Sequence, residues 1–370
     1  MKRIKRINLL LKVLFRSIFH GRADKVPTQI NRVIVAPTGK LGDMVCNTPV
    51  FNALRQNLPN ARIIVAGNSG FLKSILDYSG LVDEYLDIDR DTLNADVAIV
   101  TGPSYEYAAR FYLSGIPLIV APTTVGSISP AETRPYKIIK KFVKTFPYRM
   151  GEYAPKERLK ALESLGIYTK DTKKHLGFSE NADRKIKQFF AGKSIDTGKD
   201  FVVGISPSAG NKIKEWPAER FAEVADYVAK KYNAKLLIIG GPKDKEKVQT
   251  VISNLSPETK AVVMTELSTD ELKTLVSKLS LFISVDTGPI YIAEAFGIPT
   301  IDITGPIDER EQPPQGAIHR NVIPPHRLRP ELSVLNAKHY NKEEALRQVN
   351  SITVPLVLKE VDSLIADIKK

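Results

Sequence analysis

"RVIVAPTGKLGDMVCNTPVFNALRQNLPNARIIVAG", residues 32–67, reads as strand, loop, helix and strand. The outer runs, "RVIVAP" (32–37) and "ARIIVAG" (61–67), are short, continuous and apolar. Strands covered on both faces have that composition. Between them a glycine loop leads into a helix through Val50, Ala53 and Leu54. A strand, a helix and a second strand in that order make a parallel pair with the helix packed on the sheet. "ADVAIVTG" (95–102) and "IPLIVAP" (116–122) extend the same series.

The alternation then pauses. Residues 152–192 read as helices joined by polar loops, and "AGKSIDTGKD" (191–200) reads as a linker. A second series starts at "FVVGISPS" (201–208) and runs through "KLLIIGG" (235–241), "AVVM" (261–264), "LFISVD" (281–286) and "PTIDITG" (299–305). Helices such as the Leu272, Leu275, Val276, Leu279 stripe lie between these strands. A proline-rich tract (313–330) follows, and "SITVPLVLKEVDSLIADIKK" (351–370) closes the chain as a helix. The expected class is α/β, with two doubly wound Rossmann-like domains facing a central cleft. In such sheets ligands sit beyond the carboxyl ends of the strands. The 370 residues suit two domains. They are expected at 31–192 and 193–350, preceded by a basic amphipathic segment (1–30). The last helix (351–370) is expected to pack back toward the first domain.

Hydrophobic residues make up 43% of the chain, enough for two cores. The single cysteine, Cys46, excludes a disulfide framework and fits a reducing compartment. No CxxC, HExxH or histidine cluster is present, so no metal site is expected. The net charge of +13 is unevenly placed: the first 32 residues hold nine Lys or Arg and one acid, Asp24. Ile4, Ile7, Leu11, Leu14 and Ile18 recur there at helical spacing. That apolar run falls short of the roughly 18 to 20 residues a membrane span needs. It reads either as an amphipathic helix on an anionic membrane surface or as a docked or disordered tail. A second basic stretch, "RPYKIIKKFVKTFPYRM" (134–150), carries six bases and no acid. Its Ile138, Ile139, Phe142, Val143 and Phe146 read as a helical stripe, either packed on a core or offered to a membrane or acidic acceptor.

Three loops after strands carry the candidate chemistry. "PTGKLGDM" (37–44) has Gly39 and Gly42 for tight turns, with Lys40 and Asp43 bringing one charge of each sign. Asp43 is a candidate general base or a helix cap. The loop matches neither GxGxxG nor GxxxxGK[ST]. "SPSAGNKIKEWPAERF" (206–221) offers small hydroxyl residues, a glycine, and Lys212 and Lys214, a set that suits a diphosphate or a solvated loop. Trp216 reads as a packing anchor. In "SVDTGPIYIAEAFGIP" (284–299), Asp286, Thr287 and Gly288 end a strand, and Pro289 suits the first helical turn. A helix start there attracts phosphate. "DIDRD" (87–91) has the DxD spacing that some sugar transferases use for a metal, a pattern also common by chance.

Ordered along residues 31–368, these pieces resemble the ADP-heptose:lipopolysaccharide heptosyltransferases, inverting enzymes of glycosyltransferase family 9 with the GT-B fold. "APTGKLGDMVCNTPVFNALRQNLPNARI" is similar to the family's opening segment, "LKALESLGI" (159–167) to its interdomain helix, and "IIGGPKDKEKV" to its glycine-pair strand end. "SPSAGNKIKEWPAERFAEVADYV" keeps the family's proline, lysine, Trp-Pro and "ERF" in register, and "SVDTGPIYIAEAFGIPTIDITGP" is the most specific block. The resemblance implies that the first domain takes the acceptor and the second the nucleotide sugar. It makes Asp43 the catalytic base and Lys214 the group that stabilises the departing diphosphate. Ser208, Asp286, Thr287, Gly288, Pro289 and Tyr291 fall on the donor side, Asp244 near the ribose, and Lys40 and Gly42 near the acceptor. It implies no metal and no cofactor beyond an ADP-linked co-substrate. The chain departs from the family at Tyr291, where His is common, at Ser208, where Gly is common, and in "PTGKLGD", where an Arg and serines are common. Lys40 is the candidate replacement for that lost charge.

The expected activity is inverting, metal-independent transfer of a sugar, heptose by resemblance, to a lipopolysaccharide core or related surface glycan. The expected partners are the donor, a lipid-linked glycan and an anionic membrane surface, with no nucleic acid. The expected location is cytoplasmic, peripheral on the inner face of the cytoplasmic membrane. Two alternatives stand beside it: the same fold with another nucleotide sugar, and a non-catalytic basic module binding membrane or nucleic acid, for which no nucleic-acid motif is present.

Overall fold

The computed structural model describes residues 2–127 and 129–368, with side chains described from Arg6 onward. Ile4 of the N-terminal stripe thus lies outside the described side chains. The chain divides into two units, Met1–His175 with Val334–Lys338, and Leu176–Ser333 with His339–Lys370.

Unit 1 holds strands β1 (Arg32–Ala36), β2 (Arg62–Gly67), β3 (Glu84–Asp87), β4 (Val97–Val100), β5 (Leu118–Val125) and β6 (Lys144–Arg149). They form one sheet in the order β3-β2-β1-β4-β5-β6, every neighbouring pair parallel. Its helices are α1 (Lys2–Phe19), α2 (Leu41–Val45), α3 (Thr48–Asn57), α4 (Ser69–Leu76), α5 (Tyr105–Leu113), α6 (Arg134–Ile139) and α7 (Ala154–Leu159). Helix starts follow local chemistry: Asn68 caps α4 and Ser104 caps α5 by accepting from the amide three residues on. One core combines Ile34, Ala36, Ile64, Ala98 and Ile119 of the sheet with Ala108, Phe111 and Tyr112 of α5 and Tyr136 and Ile139 of α6. Helix α1 joins this core through Val13, with Leu9 and Leu10 packed beside it.

Unit 2 repeats the plan. Strands β7 (Val202–Ser206), β8 (Lys235–Ile239), β9 (Ala261–Met264), β10 (Leu281–Val285), β11 (Thr300–Ile303) and β12 (His319–Val322) lie in the order β12-β11-β10-β7-β8-β9, again all parallel. Helices α8 (Glu180–Gly192), α9 (Ala218–Tyr232), α10 (Lys245–Ser253), α11 (Thr269–Val276), α12 (Gly288–Ala295), α13 (Lys342–Ser351) and α14 (Val354–Ile368) complete it. Numbered from its own first strand, each sheet has the 3-2-1-4-5-6 order of a doubly wound Rossmann domain.

Three expectations are corrected. The division falls between His175 and Leu176 rather than at 192, because α8 binds unit 2: Ser179 Oγ donates to Asp270 Oδ2 at 2.7 Å, and Lys185 pairs with Glu271 at 2.8 Å. The closing helix α14 buries Val357, Val361, Leu364 and Ile365 in the core of unit 2 rather than packing toward the first domain. The stretch 134–150 is a short helix, a 3₁₀ turn (Lys140–Phe142) and edge strand β6, not one helix. From Thr145 onward Phe146 and Tyr148 are buried while Thr145, Pro147 and Arg149 face out, the two-residue period of a strand. Pro147 is accommodated because edge positions need no inward amide.

Candidate active site

In each sheet the chain order reverses between two adjacent strands, β1 and β4 in unit 1 and β7 and β10 in unit 2. Loops leaving such a pair diverge, and a crevice opens at the strands' carboxyl ends. Asp43, Lys214 and Asp286–Gly288 follow three of those strands, in segments 37–43 after β1, 207–214 after β7 and 286–288 after β10.

In unit 1, Asp43 lies in the first turn of α2, and its Oδ2 accepts from the Lys40 amide at 2.9 Å. The cap reading of Asp43 is therefore correct as geometry. Its other oxygen lies 3.4 Å from an Arg158 guanidinium nitrogen of α7. Arg158 is buried while the Asp43 side chain remains 24% exposed, so the carboxylate is fixed from behind and open in front. Gly39 makes the turn possible. It has φ +116°, and a Cβ there would overlap the Asp43 carboxylate. Gly42 is buried inside α2, and Lys40 is exposed at its N-cap.

In unit 2, Lys214 comes from a 3₁₀ turn (Lys212–Lys214), and its Nζ lies 2.7 Å from Asp286 Oδ2. Both side chains are largely buried, at 15% and 6% exposure. Tyr291, one turn into α12, donates its hydroxyl to the other Asp286 oxygen. Tyr291 is itself buried, so it acts through Asp286. Thr287 occupies the N-cap of α12 in extended backbone without capping it through its side chain. Pro289 sits in the first turn, where a missing N–H costs nothing. Ser208 is buried nearby in the β7 loop. The half-exposed helix start therefore lies beside the Lys214 ammonium, which the Asp286 carboxylate holds. An anion with several oxygens can engage both.

Two residues of these surroundings were missed by sequence reading. Arg158 has no local signature. Asp302 does: it is an acid inside the apolar strand β11. It pairs in register with Ser284, which in turn pairs with Ser206, so these side chains share one face. Asp302 is fully buried, and neither carboxyl oxygen has a hydrogen-bond partner among the described residues. Burial, then the charge of Asp286, pushes its carboxyl well above the usual range; Lys214 opposes the shift and Glu294 adds to it. Burial thus favours the neutral form of Asp302, close to the Lys214–Asp286 pair.

The remaining candidates separate. Asp244 accepts from the Gly241 amide at 2.9 Å and lies 3.5 Å from Lys212. Trp216 is a packing anchor, fully buried, edge-on to Phe221 and donating to the Ile352 carbonyl at 2.8 Å. "DIDRD" folds into a turn tied by its own amides, with Asp89 paired to Arg110. Among the described residues no three His, Cys, Asp or Glu side chains gather as a metal cluster. Pro103–Glu106, at the turn into α5, line a cavity of about 500 Å³ together with Arg6 and Val334–Lys338.

Comparison with known proteins places the chain in a family. The model for glycosyltransferase family 9 (heptosyltransferase) matches residues 154–338, half of the chain. The lipopolysaccharide core heptosyltransferase OpsX of Haemophilus influenzae is 30% identical over 142 residues, 38% of this chain and 39% of that protein. The lipopolysaccharide heptosyltransferase 3 of Escherichia coli is 24% identical over 281 residues, 72% of this chain and 80% of that protein. The chain therefore spans well under half the length of the first of these relatives and four fifths of the second. Escherichia coli heptosyltransferase WaaC, solved with ADP-2-deoxy-2-fluoro heptose, shares the fold with a TM-score of 0.63. It is 16% identical, and the likeness covers 90% of this chain and 99% of that one.

Proposed function

The chain belongs to glycosyltransferase family 9, and on that premise we propose that it transfers a heptose from ADP-heptose to a lipopolysaccharide core acceptor, with inversion at the anomeric carbon. The observation that carries this reading is the Lys214–Asp286 pair beside the uncapped start of α12, at the switch point of unit 2. The relatives' names supply the sugar and the acceptor class, and the WaaC ligand supplies the nucleotide.

Unit 2 takes the donor. The diphosphate oxygens accept from the first-turn amides of α12 and from Lys214, which exchanges Asp286 for phosphate. Tyr291 then retains Asp286 by its hydroxyl. Asp244 lies one loop away and is assigned to the ribose. Unit 1 takes the acceptor, with Lys40 and Gly42 beside the base. Asp43 accepts the proton of the acceptor hydroxyl, and that oxygen attacks the anomeric carbon from the face opposite the diphosphate. The bond from the anomeric carbon to the phosphate oxygen breaks, and its electron pair leaves with ADP. Lys214 and the helix start stabilise the charge that develops there, the role a divalent cation fills elsewhere, so this reading requires none. The acceptor is lipid-linked, so the reaction belongs at the cytoplasmic face of the membrane.

The test is transfer itself. The protein is incubated with ADP-heptose and a heptose-bearing core oligosaccharide, with EDTA present. The reading expects ADP release matched by gain of one heptose, with the new linkage of opposite anomeric configuration by NMR. Transfer only from a UDP or GDP sugar would keep the enzyme class and replace the donor. Retained configuration would remove Asp43 as base for a direct displacement.

A further inference from the structure

Helix α1 has two faces with different fates. One docks: Val13 is fully buried, and Leu9 and Leu10 pack on the unit 1 core beside α5. The Tyr105 hydroxyl donates to the Arg6 carbonyl, and the Tyr112 hydroxyl to the carbonyls of His20 and Gly21, holding the helix at both ends. The other face presents Ile7, Leu11, Leu14, Phe15, Ile18 and Phe19 to solvent. Positions 7, 11, 14, 15 and 18 make one stripe at helical spacing. Phe15, Ile18 and Phe19 are 67%, 73% and 71% exposed, and the two rings meet edge-on at 5.5 Å. A stripe this large on a soluble surface marks a contact site. Docking also means that the outward direction is set by the fold rather than by a loose tail.

Charge identifies the occupant. The helix itself is basic and carries no acid. Its C-terminal end is tied to the second basic stretch: the Ala23 amide donates to the Phe142 carbonyl at 2.7 Å, Arg22 to the Val143 carbonyl at 3.3 Å, and Phe142 packs on Tyr112. Lys137, Lys141 and Lys144 of that stretch are exposed. Apolar side chains reaching outward from a basic helix, tied to a second stretch with exposed lysines, match the boundary layer of an anionic bilayer. No described helix is long and apolar enough to cross a membrane.

We propose that the outward face of α1, with the bases of residues 137–144 on the same flank of unit 1, is a docking surface for an anionic lipid bilayer, with the helix lying in the interface. This inference does not depend on the transferase reading, and its test reads lipid binding alone. The full chain is sedimented with phosphatidylcholine vesicles with and without phosphatidylglycerol. Binding is expected to the anionic vesicles and to weaken with salt. The variant Leu11→Asp/Phe15→Asp/Ile18→Asp is expected to lose binding at least tenfold while its circular dichroism and thermal midpoint stay close to the parent's, because none of the three is buried. The variant Lys137→Glu/Lys141→Glu is expected to lose the preference for anionic lipid. Absence of vesicle binding by the parent would overturn the proposal, and so would undiminished binding by the triple variant. A lipid-free dimer that the triple variant dissociates, seen by sedimentation velocity, would also overturn it by assigning the stripe to a second copy.

Discussion

Lys214 Nζ and Asp286 Oδ2 lie 2.7 Å apart, joining the loop after β7 to the loop after β10. The ammonium that a diphosphate would need is already occupied by a carboxylate, which the Tyr291 hydroxyl also holds. Binding is therefore an exchange of partners in a poorly hydrated place, and the two members of the pair have opposite effects on an incoming anion.

Removing each member separates those effects. Lys214→Ala is expected to lower kcat by about 10²–10³, the usual loss for one stabilising donor at a developing charge, and to weaken ADP binding. Asp286→Asn removes a competing negative charge, so ADP is expected to bind at least as tightly while kcat falls because Lys214 loses its guide. Calorimetry and steady-state kinetics on the two variants check this. Weaker ADP binding by Asp286→Asn would show that the carboxylate itself touches the donor.

Asp43 is positioned by the Lys40 amide and Arg158. Asp43→Asn is expected to reduce kcat by about 10²–10⁴ with little change in donor KM, as for loss of a general base. Arg158→Met leaves the base in place but free to turn, and a drop of about ten- to a hundredfold is expected. Gly39→Ala forces a side chain into a positive-φ position against the Asp43 carboxylate. It is expected to cost about 1–3 kcal/mol of stability along with activity.

Asp302 makes stability depend on pH. Burial raises its folded value above the ordinary one. Below about pH 4 the carboxyl is protonated in both the folded and unfolded chains and contributes no slope. Above that, the unfolded chain ionises while the folded chain keeps its proton, so stability falls as pH rises toward the folded value. Asp302→Asn removes this slope. The thermal midpoints of parent and variant are expected to converge near pH 4 and separate toward pH 8, the variant being the more stable. A constant difference across that range would mean that Asp302 is ionised in the folded protein.

The sequence made the interior of both sheets legible, because "RVIVA", "RIIVAG" and "LFISV" are buried on two faces and leave an unbroken apolar record. The edges were harder. Strand β6 shows solvent to alternate residues and contains Pro147, and β12 is a polar edge strand inside a proline-rich tract. Both lack the continuous apolar signature. The loops bearing Asp43, Lys214 and Asp286 were readable because they follow obvious strands. Their partners were not: Arg158 reaches Asp43 from 115 positions away, a relation only the tertiary fold creates. Helix α8 likewise joins unit 2 through ion pairs and hydrogen bonds that no local pattern encodes.

The most direct test of the donor site is calorimetric titration of the protein and of Lys214→Ala with ADP, UDP and GDP, each with and without EDTA. The account predicts selective binding of ADP, unchanged by EDTA and weakened at least tenfold in the variant. Equal binding by parent and variant, or no binding of any diphosphate, would contradict it.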